Sequence, residues 1–452
     1  MAKDIGTALA EFAVNTKYES IPKDVVDFAK GLTLKTVAGM VVGAAKPSGR
    51  KVADLIRTRN LPQDASVMGH GFKTGLWEAV FLNAFFAHAS ELEDDSIMPT
   101  GGTGWDITVI PLLFSLAEEE KLSGQALMEA IIVGLEVHHR TCMFPAEHVG
   151  IGIVTPAVGP AVAAAKARGL SVKETANAIG LSTSGVNLWM SNLGTDAHFL
   201  ESSMQAIHGM IAADLARMGL TGNSDTGLFL SKLLGKDRVA PEKMAEDLGG
   251  RWLFQETWVK KYPSCLITHR PIDTVIELRT KHGLSYEETE AIEVYIRPED
   301  EICSRPQPKT DSDLQFSLQH TLGTAMLDGD VTLEHLTEQA INDPRLQEAR
   351  SKVKVITRPE LAGKGFLVPV RVLIRTKDGR EFTGERTHAI GSPKEPLTMQ
   401  QFVGLYSKFT RGVLPESEIS KTTELILNLE KLGDVTELVR RLALRYNIKG
   451  KH

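Results

Sequence analysis

The sequence predicts a mainly α protein: a large, discontinuous all-helical domain with a smaller α+β domain inserted late in the chain. Three observations lead there. Apolar residues keep helical spacing nearly throughout residues 4 to about 235, short alternating runs bounded by turn residues begin near residue 283, and helical spacing returns from Thr398 to Tyr446. A chain of 452 residues is too long for one small core. The expected division gives 1–272 and 396–452 to the helical domain and 273–395 to the smaller one.

In chain order, Ile5, Leu9, Phe12 and Ala13 form one apolar stripe, and Val25, Val26, Ala29, Leu32 and Leu34 begin a second. The small-residue runs Ala161–Ala165 and Ala212-Ala213 let helices approach closely. Ser171 with Glu174, just after Gly169, has the form of a capping box that opens a new helix, and Ser285 with Glu288 repeats the form. Ile292–Ile296 then alternates as a half-buried strand until Arg297-Pro298 stops it. Helical stretches are expected near 314–327 and 333–341, and strands at Val353–Val355 and Val368–Ile374. Thr376–Arg380 reads as a hairpin turn, because Asp378-Gly379 supplies the positive φ angles of a tight turn.

Composition narrows the function. A formal charge of −6 and a pI near 6.1 leave no basic footprint for nucleic acid, so an anionic substrate has to be met by local cations. The three cysteines, Cys142, Cys265 and Cys303, have no metal-ligand spacing and point to a reducing compartment. Neither a signal peptide nor a membrane span is expected, and the protein reads as cytoplasmic. The sequence has no phosphate loop, no dinucleotide fingerprint and no His-Glu-x-x-His, so no cofactor and no metal are expected. Adjacent His138 and His139 would point about 100° apart on a helix and read as two isolated histidines.

The stretch with most chemistry runs from Asn83 to Asp106. An alanine- and aromatic-rich helix ends in Glu91, Glu93, Asp94 and Asp95, four carboxylates within five residues. Such crowding is costly unless a cation or a shared proton offsets it. Gly101-Gly-Thr-Gly104 then removes side chains where the chain leaves this corner and feeds the apolar run from Ile107 to Leu116.

This stretch resembles the entry signature of the MmgE/PrpD family. Lys260-Lys-Tyr-Pro263-Ser-Cys265-Leu-Ile-Thr268-His269, Phe316-Ser317-Leu-Gln-His320 with Leu327-Asp-Gly329, and Gly391-Ser-Pro393-Lys-Glu-Pro396-Leu-Thr398 resemble three further motifs of that family, in the same order. The resemblance implies the architecture already read from periodicity. It also implies a cofactor-independent enzyme, a lyase (dehydratase or decarboxylase) or an epimerase, that abstracts a proton α to a carboxylate of a small di- or tricarboxylic acid. A homodimer is implied as well, and the apolar helices around 107–116 and 126–135 are expected to supply surface for it. The alternative is a catalytically silent homologue that binds a small carboxylate.

Carried over position by position, the resemblance places catalytic roles on Glu91, Asp94, His198, Lys260 and His320. Substrate binding falls to Asp95, Gly104, Trp105, His148, Lys261 and His269. Several of these depart from the family pattern: the loop histidine is replaced by Gly104, a lysine by His198 and a tyrosine by His320. Acid/base capacity is kept but moves to imidazoles, which exchange protons near neutral pH. Two such bases suit epimerisation, and loss of the loop histidine bears against decarboxylation or dehydration.

Overall fold

The structure is a computed structural model and describes residues 4–97, 105–143, 154–188 and 192–445. Its helices are α1 (Ile5–Asn15), α2 (Lys23–Ala45), α3 (Pro47–Arg57), α4 (Leu76–Ala89), α5 (Asp106–Glu119), α6 (Gly124–Met143), α7 (Val158–Ala167), α8 (Val172–Ser182), α9 (Asp196–Arg217) and α10 (Thr226–Leu234). Then come α11 (Leu266–His282), α12 (Asp311–Gln315), α13 (Leu318–Asp328), α14 (Glu338–Asn342), α15 (Pro344–Ser351), α16 (Met399–Thr410), α17 (Glu416–Leu427) and α18 (Thr436–Ala443). The chain forms two compact units. One holds Met1–Ser191, Ala197–Thr257 and Thr398–His452, and the other Asn192–Asp196 and Trp258–Leu397. The division expected after residue 272 would fall inside α11, whereas the second unit begins at Trp258 and takes in the whole helix.

The first unit is built around α2, which is buried on every side from Val25 to Ala44 apart from a few N-terminal positions. A helix that is apolar all round belongs in a core, and α2 packs against α4, α5 and α16. Close approach is possible because Gly43 has no side chain: a Cβ there would run into Phe86 O of α4. Helices α5 and α6 are equally enclosed. Ile107, Ile110, Leu112, Leu113, Leu127, Ile131 and Ile132 are all within 1% of full burial. This corrects the expectation that 107–116 and 126–135 offer an assembly surface, because their apolar side chains are spent on the core of their own unit.

The capping box at α8 forms as expected, with Ser171 Oγ accepting from Glu174 N and Glu174 Oε2 accepting from Ser171 N. Residues 236–256 are not regular α-helix but a run of short 3-10 turns. They gather around buried Arg140, which donates to the carbonyls of Met244, Glu246 and Arg251 while its Nε holds Glu136 Oε1 at 2.6 Å.

In the second unit, four strands order as β4-β3-β1-β2, with β1 at Thr289–Ile296, β2 at Val353–Thr357, β3 at Val370–Thr376 and β4 at Glu381–Arg386. β1 runs parallel to β2 and antiparallel to β3, and β3 runs antiparallel to β4. The expected turn joins β3 to β4, with Gly379 at φ 86° and Thr376 N bonded to Arg380 O. Two expectations change in detail. Ser285 and Glu288 exchange capping-box hydrogen bonds, yet they lead into strand β1 rather than a helix. The helix expected over 314–327 is broken at Phe316-Ser317, because Ser317 Oγ caps α13 by accepting from His320 N.

Candidate active site

In the first unit, α4 ends at Ala89 and delivers the acidic residues into the interior. Glu91, Glu93, Asp94 and Asp95 are 1, 4, 1 and 8% exposed, so none of them is a solvated charge. Glu91 adopts a left-handed backbone with φ 57°, a conformation that is costly for a residue with a Cβ. A cation from the middle of α2, Lys35, answers them within this unit. Its Nζ donates to Asp94 Oδ1 at 3.1 Å and to Leu92 O at 2.7 Å, and both charged side chains are fully buried.

Asp106, in the first turn of α5, closes the corner. Its Oδ1 accepts from Asp94 N at 3.1 Å, and its Oδ2 lies 2.7 Å from Thr36 Oγ1. The Thr36 hydroxyl has one hydrogen and a second acceptor in reach, Leu32 O at 2.9 Å. Thr36 donates to Asp106 Oδ2 when Asp106 is ionised; a protonated Asp106 donates instead and leaves the Thr36 hydrogen to Leu32 O. Burial and then the Asp94 charge push Asp106 up to about 7, against Thr36 and Lys35. The corner thus meets both requirements of crowded carboxylates, a cation and a place for a proton.

Beside this corner lies a line of imidazoles. His88, one turn before Glu91, places Nε2 3.2 Å from His198 Nε2 of α9 and Nδ1 3.2 Å from Ser202 Oγ. His198 Nδ1 is 2.7 Å from Glu201 Oε2. These contacts form a continuous chain from Ser202 through His88 and His198 to Glu201, and the proton order along it follows the tautomers, since Ser202 also reaches Ala84 O and Phe199 O. Trp105 is buried at the start of α5 and lies over His138, with ring centroids 4.3 Å apart. His139 donates through Nδ1 to Leu135 O at 2.9 Å and accepts at Nε2 from Ser96 Oγ at 2.7 Å, and burial pushes it down to about 4. Among the described residues His138 has no hydrogen-bond partner at either ring nitrogen, and burial with its neighbour His139 lowers it to about 3.

In the second unit, Lys260 is 1% exposed. Lys261 Nζ is 3.3 Å from Asp273 Oδ1, which also accepts from Tyr262 O–H at 2.8 Å. Burial and then the Asp273 charge raise the Tyr262 hydroxyl well above its ordinary range. His269, in the first turn of α11, packs edge-on to Tyr262 and donates through Nε2 to Ser264 O at 3.1 Å. His320 is bound elsewhere in the unit: its Nε2 donates to His335 O at 2.7 Å, and burial pushes it down to about 4. It is therefore neutral at pH 7, with only Nδ1 left to take a proton. Gly104 and His148 lie outside the described residues.

Each unit thus gathers part of the expected set. The first buries Glu91, Asp94, Asp95, Trp105 and His198 in its interior, and the second holds Lys260, Lys261 and His269 on one segment with His320 apart. Sequence reasoning missed Lys35, the neutral pair His138 and His139, and Glu201. A lysine inside an otherwise apolar helix was the available signal for the first. Among the described residues, no group of three His, Cys, Asp or Glu side chains is arranged to hold a metal ion, and no helix is long and apolar enough to cross a membrane.

Comparison with known proteins bears on these motifs directly. The mouse (Mus musculus) cis-aconitate decarboxylase is 25% identical over 98% of this chain and 94% of its own length. The human (Homo sapiens) enzyme of that name is 28% identical over 80% of this chain and 79% of its own, and the Aspergillus terreus (strain NIH 2624 / FGSC A1156) one is 26% identical over 96% and 95%. The MmgE/PrpD N-terminal domain family matches residues 7–228, which hold the acidic corner and the imidazole line, and the MmgE/PrpD C-terminal domain family matches residues 262–431. With both domains present in order over most of its length, the chain belongs to the MmgE/PrpD family.

Proposed function

We propose that the protein is a cofactor-independent lyase that acts on a small di- or tricarboxylic acid of the cis-aconitate type, moving a proton at a carbon next to a carboxylate. The observation that carries this reading is the buried corner in which Asp94, three residues after Glu91, meets Asp106 beside Lys35, with burial and the Asp94 charge pushing Asp106 up to about 7. Similarity to cis-aconitate decarboxylases along nearly the whole chain supports the substrate class. Loss of CO2 leaves electron density at carbon, and the product forms when a held proton is delivered there.

In this reading Glu91 and Asp94 are the carboxylates at the reacting carbon, and His198, backed by Glu201 and relayed through His88, replenishes the proton. Asp95 and Trp105 shape the surroundings of this corner. On the resemblance alone, Lys260, Lys261 and His269 of the second unit bind or polarise a substrate carboxylate, and Gly104 and His148 take the family's loop positions. His320, neutral and weakly basic, serves as an acceptor through Nδ1. Replacement of the loop histidine by Gly104 favours a second outcome, epimerisation through the same carbanion. The assembly is proposed to be a homodimer, and light scattering should give a mass of about twice 49.4 kDa; a monomer at low micromolar concentration counts against it.

The deciding experiment incubates the protein in D2O with cis-aconitate and a panel of hydroxylated and amino di- and tricarboxylates, following CO2, mass and stereochemistry. CO2 release with deuterium in the product is the expected result, deuterium with inversion and no CO2 supports epimerisation, and no exchange with any acid sinks both.

A further inference from the structure

Arg270 comes directly after His269 on α11 and is fully buried. Its Nη1 donates to Phe366 O at 2.6 Å and Val368 O at 2.9 Å, and the Phe366 ring centroid lies 4.0 Å from its Cζ. The opposite edge of the guanidinium, Nε and Nη2, is buried and has no hydrogen-bond partner among the described residues. Those two N–H groups point the same way and form the fork that takes a carboxylate with two parallel hydrogen bonds. Arg297 shows the filled form nearby: its Nε donates to Asp300 Oδ2 at 3.0 Å and its Nη2 to Asp300 Oδ1 at 2.5 Å.

The charges do not balance. Arg270, Arg297 and Asp300 are 0, 8 and 1% exposed, so two guanidiniums share one carboxylate away from water. Asp300 and Arg297 are the charged groups that act on Arg270, and burial with the Arg297 charge lowers its proton affinity to about 10 against the pull of Asp300. A buried, uncompensated charge with unused donors is costly, and in native structures such groups mark an absent partner.

We propose that the Nε/Nη2 edge of Arg270 is a binding site for one carboxylate group of a small organic acid. A planar monoanion matches both the fork and the single surplus charge. Segment 359–369 holds Phe366 against the guanidinium. That segment carries Gly363 and Gly365 at φ 69° and 79°, neither of which would bring a Cβ within 4 Å of any atom, and Leu367 is 48% exposed. Besides the two Arg270 bonds, Gly363 N donates to Glu299 Oε1 at 2.7 Å, and the Phe366 ring packs against Trp258 and Arg297, 5.7 and 5.5 Å from its centroid. A carboxylate that enters the fork requires this segment to shift. The site stands on the second unit alone and does not depend on the proposed reaction.

Titration calorimetry of the full chain with tricarballylate, a saturated tricarboxylate, tests it against the corresponding triamide. The acid should bind and the triamide should not. Arg270→Lys keeps the charge but loses the fork, and should weaken binding by about 10-fold or more. Asp300→Asn frees the second fork and should tighten binding. If Arg270→Lys fails to fold, a crystal of the wild-type chain grown with tricarballylate should place a carboxylate about 2.7–2.9 Å from both Nε and Nη2. Unchanged affinity in Arg270→Lys, or a crystal with the acid elsewhere and the fork empty, overturns the proposal, as does failure of the wild-type chain to bind. Turnover separates two sources of the carboxylate: a raised KM with kcat unchanged in Arg270→Lys assigns it to the substrate, and unchanged kinetics with lost tricarballylate binding assigns it to a second acid.

Discussion

Burial and the nearby Asp94 charge raise the pKa of Asp106, so the pH dependence of stability should carry its signature. Its folded pKa near 7 lies above the ordinary 3.8, so the folded state binds more protons than the unfolded chain between those values. The stability that the group contributes is complete below about 4 and is lost as pH rises through about 7. Asp106→Asn keeps an acceptor for Asp94 N and a donor for Thr36, and should abolish that loss. The melting temperature of the variant relative to wild type should therefore be higher at pH 8 than at pH 5, and a constant difference between the two would mean that Asp106 is ionised throughout. Of this corner the sequence revealed the carboxylates and the need for a cation, but not Lys35. A lysine in an apolar helix is read as snorkelling until tertiary packing shows that its ammonium has nowhere to go.

At the scale of elements, the corner depends on how closely α2 and α4 pack. Gly43→Ala would place a methyl against Phe86 O and should cost about 1–3 kcal/mol by overpacking, measured as a lower urea midpoint at unchanged m. A change below about 0.5 kcal/mol would show that the helices separate without penalty. Local signals were legible where they act locally. Ser171 with Glu174 opens α8 because only its own backbone is involved. Ser285 with Glu288 makes the same hydrogen bonds but enters a strand, because pairing with β2 and β3 sets the conformation of residues 289–296. The arginine-centred turns over 236–256 had no periodic signal to read, since their hydrogen bonds converge on Arg140 from a distant helix.

For the whole molecule, buried histidines should dominate the response to acid. His70, His138, His139 and His320 are pushed down to about 4, 3, 4 and 4, burial being the main cause in each. The unfolded chain binds their protons near the ordinary 6.5, so stability is present above that value and is lost as pH falls toward about 4. This slope opposes that of Asp106 and has more groups behind it. Thermal melts from pH 4 to 8 should rise steeply to about pH 6.5 and then flatten or dip, while a curve that falls throughout would contradict the burial. The same burial explains how far the site could be read. Motif spacing singled out Glu91, Asp94, His198 and Lys260 as candidates, but the proton state of a histidine is set by its neighbours in space, as the bond from His320 to His335 O shows.

The left-handed backbone of Glu91 sets stability against function. Glycine adopts that conformation without the penalty of about 1–2 kcal/mol that a Cβ brings. Glu91→Gly and Glu91→Ala remove the same buried side chain, so the glycine variant should melt higher than the alanine variant, while in the proposed reaction both lose turnover by orders of magnitude. Selection for turnover would keep a carboxylate on a backbone that selection for heat resistance alone would give to glycine.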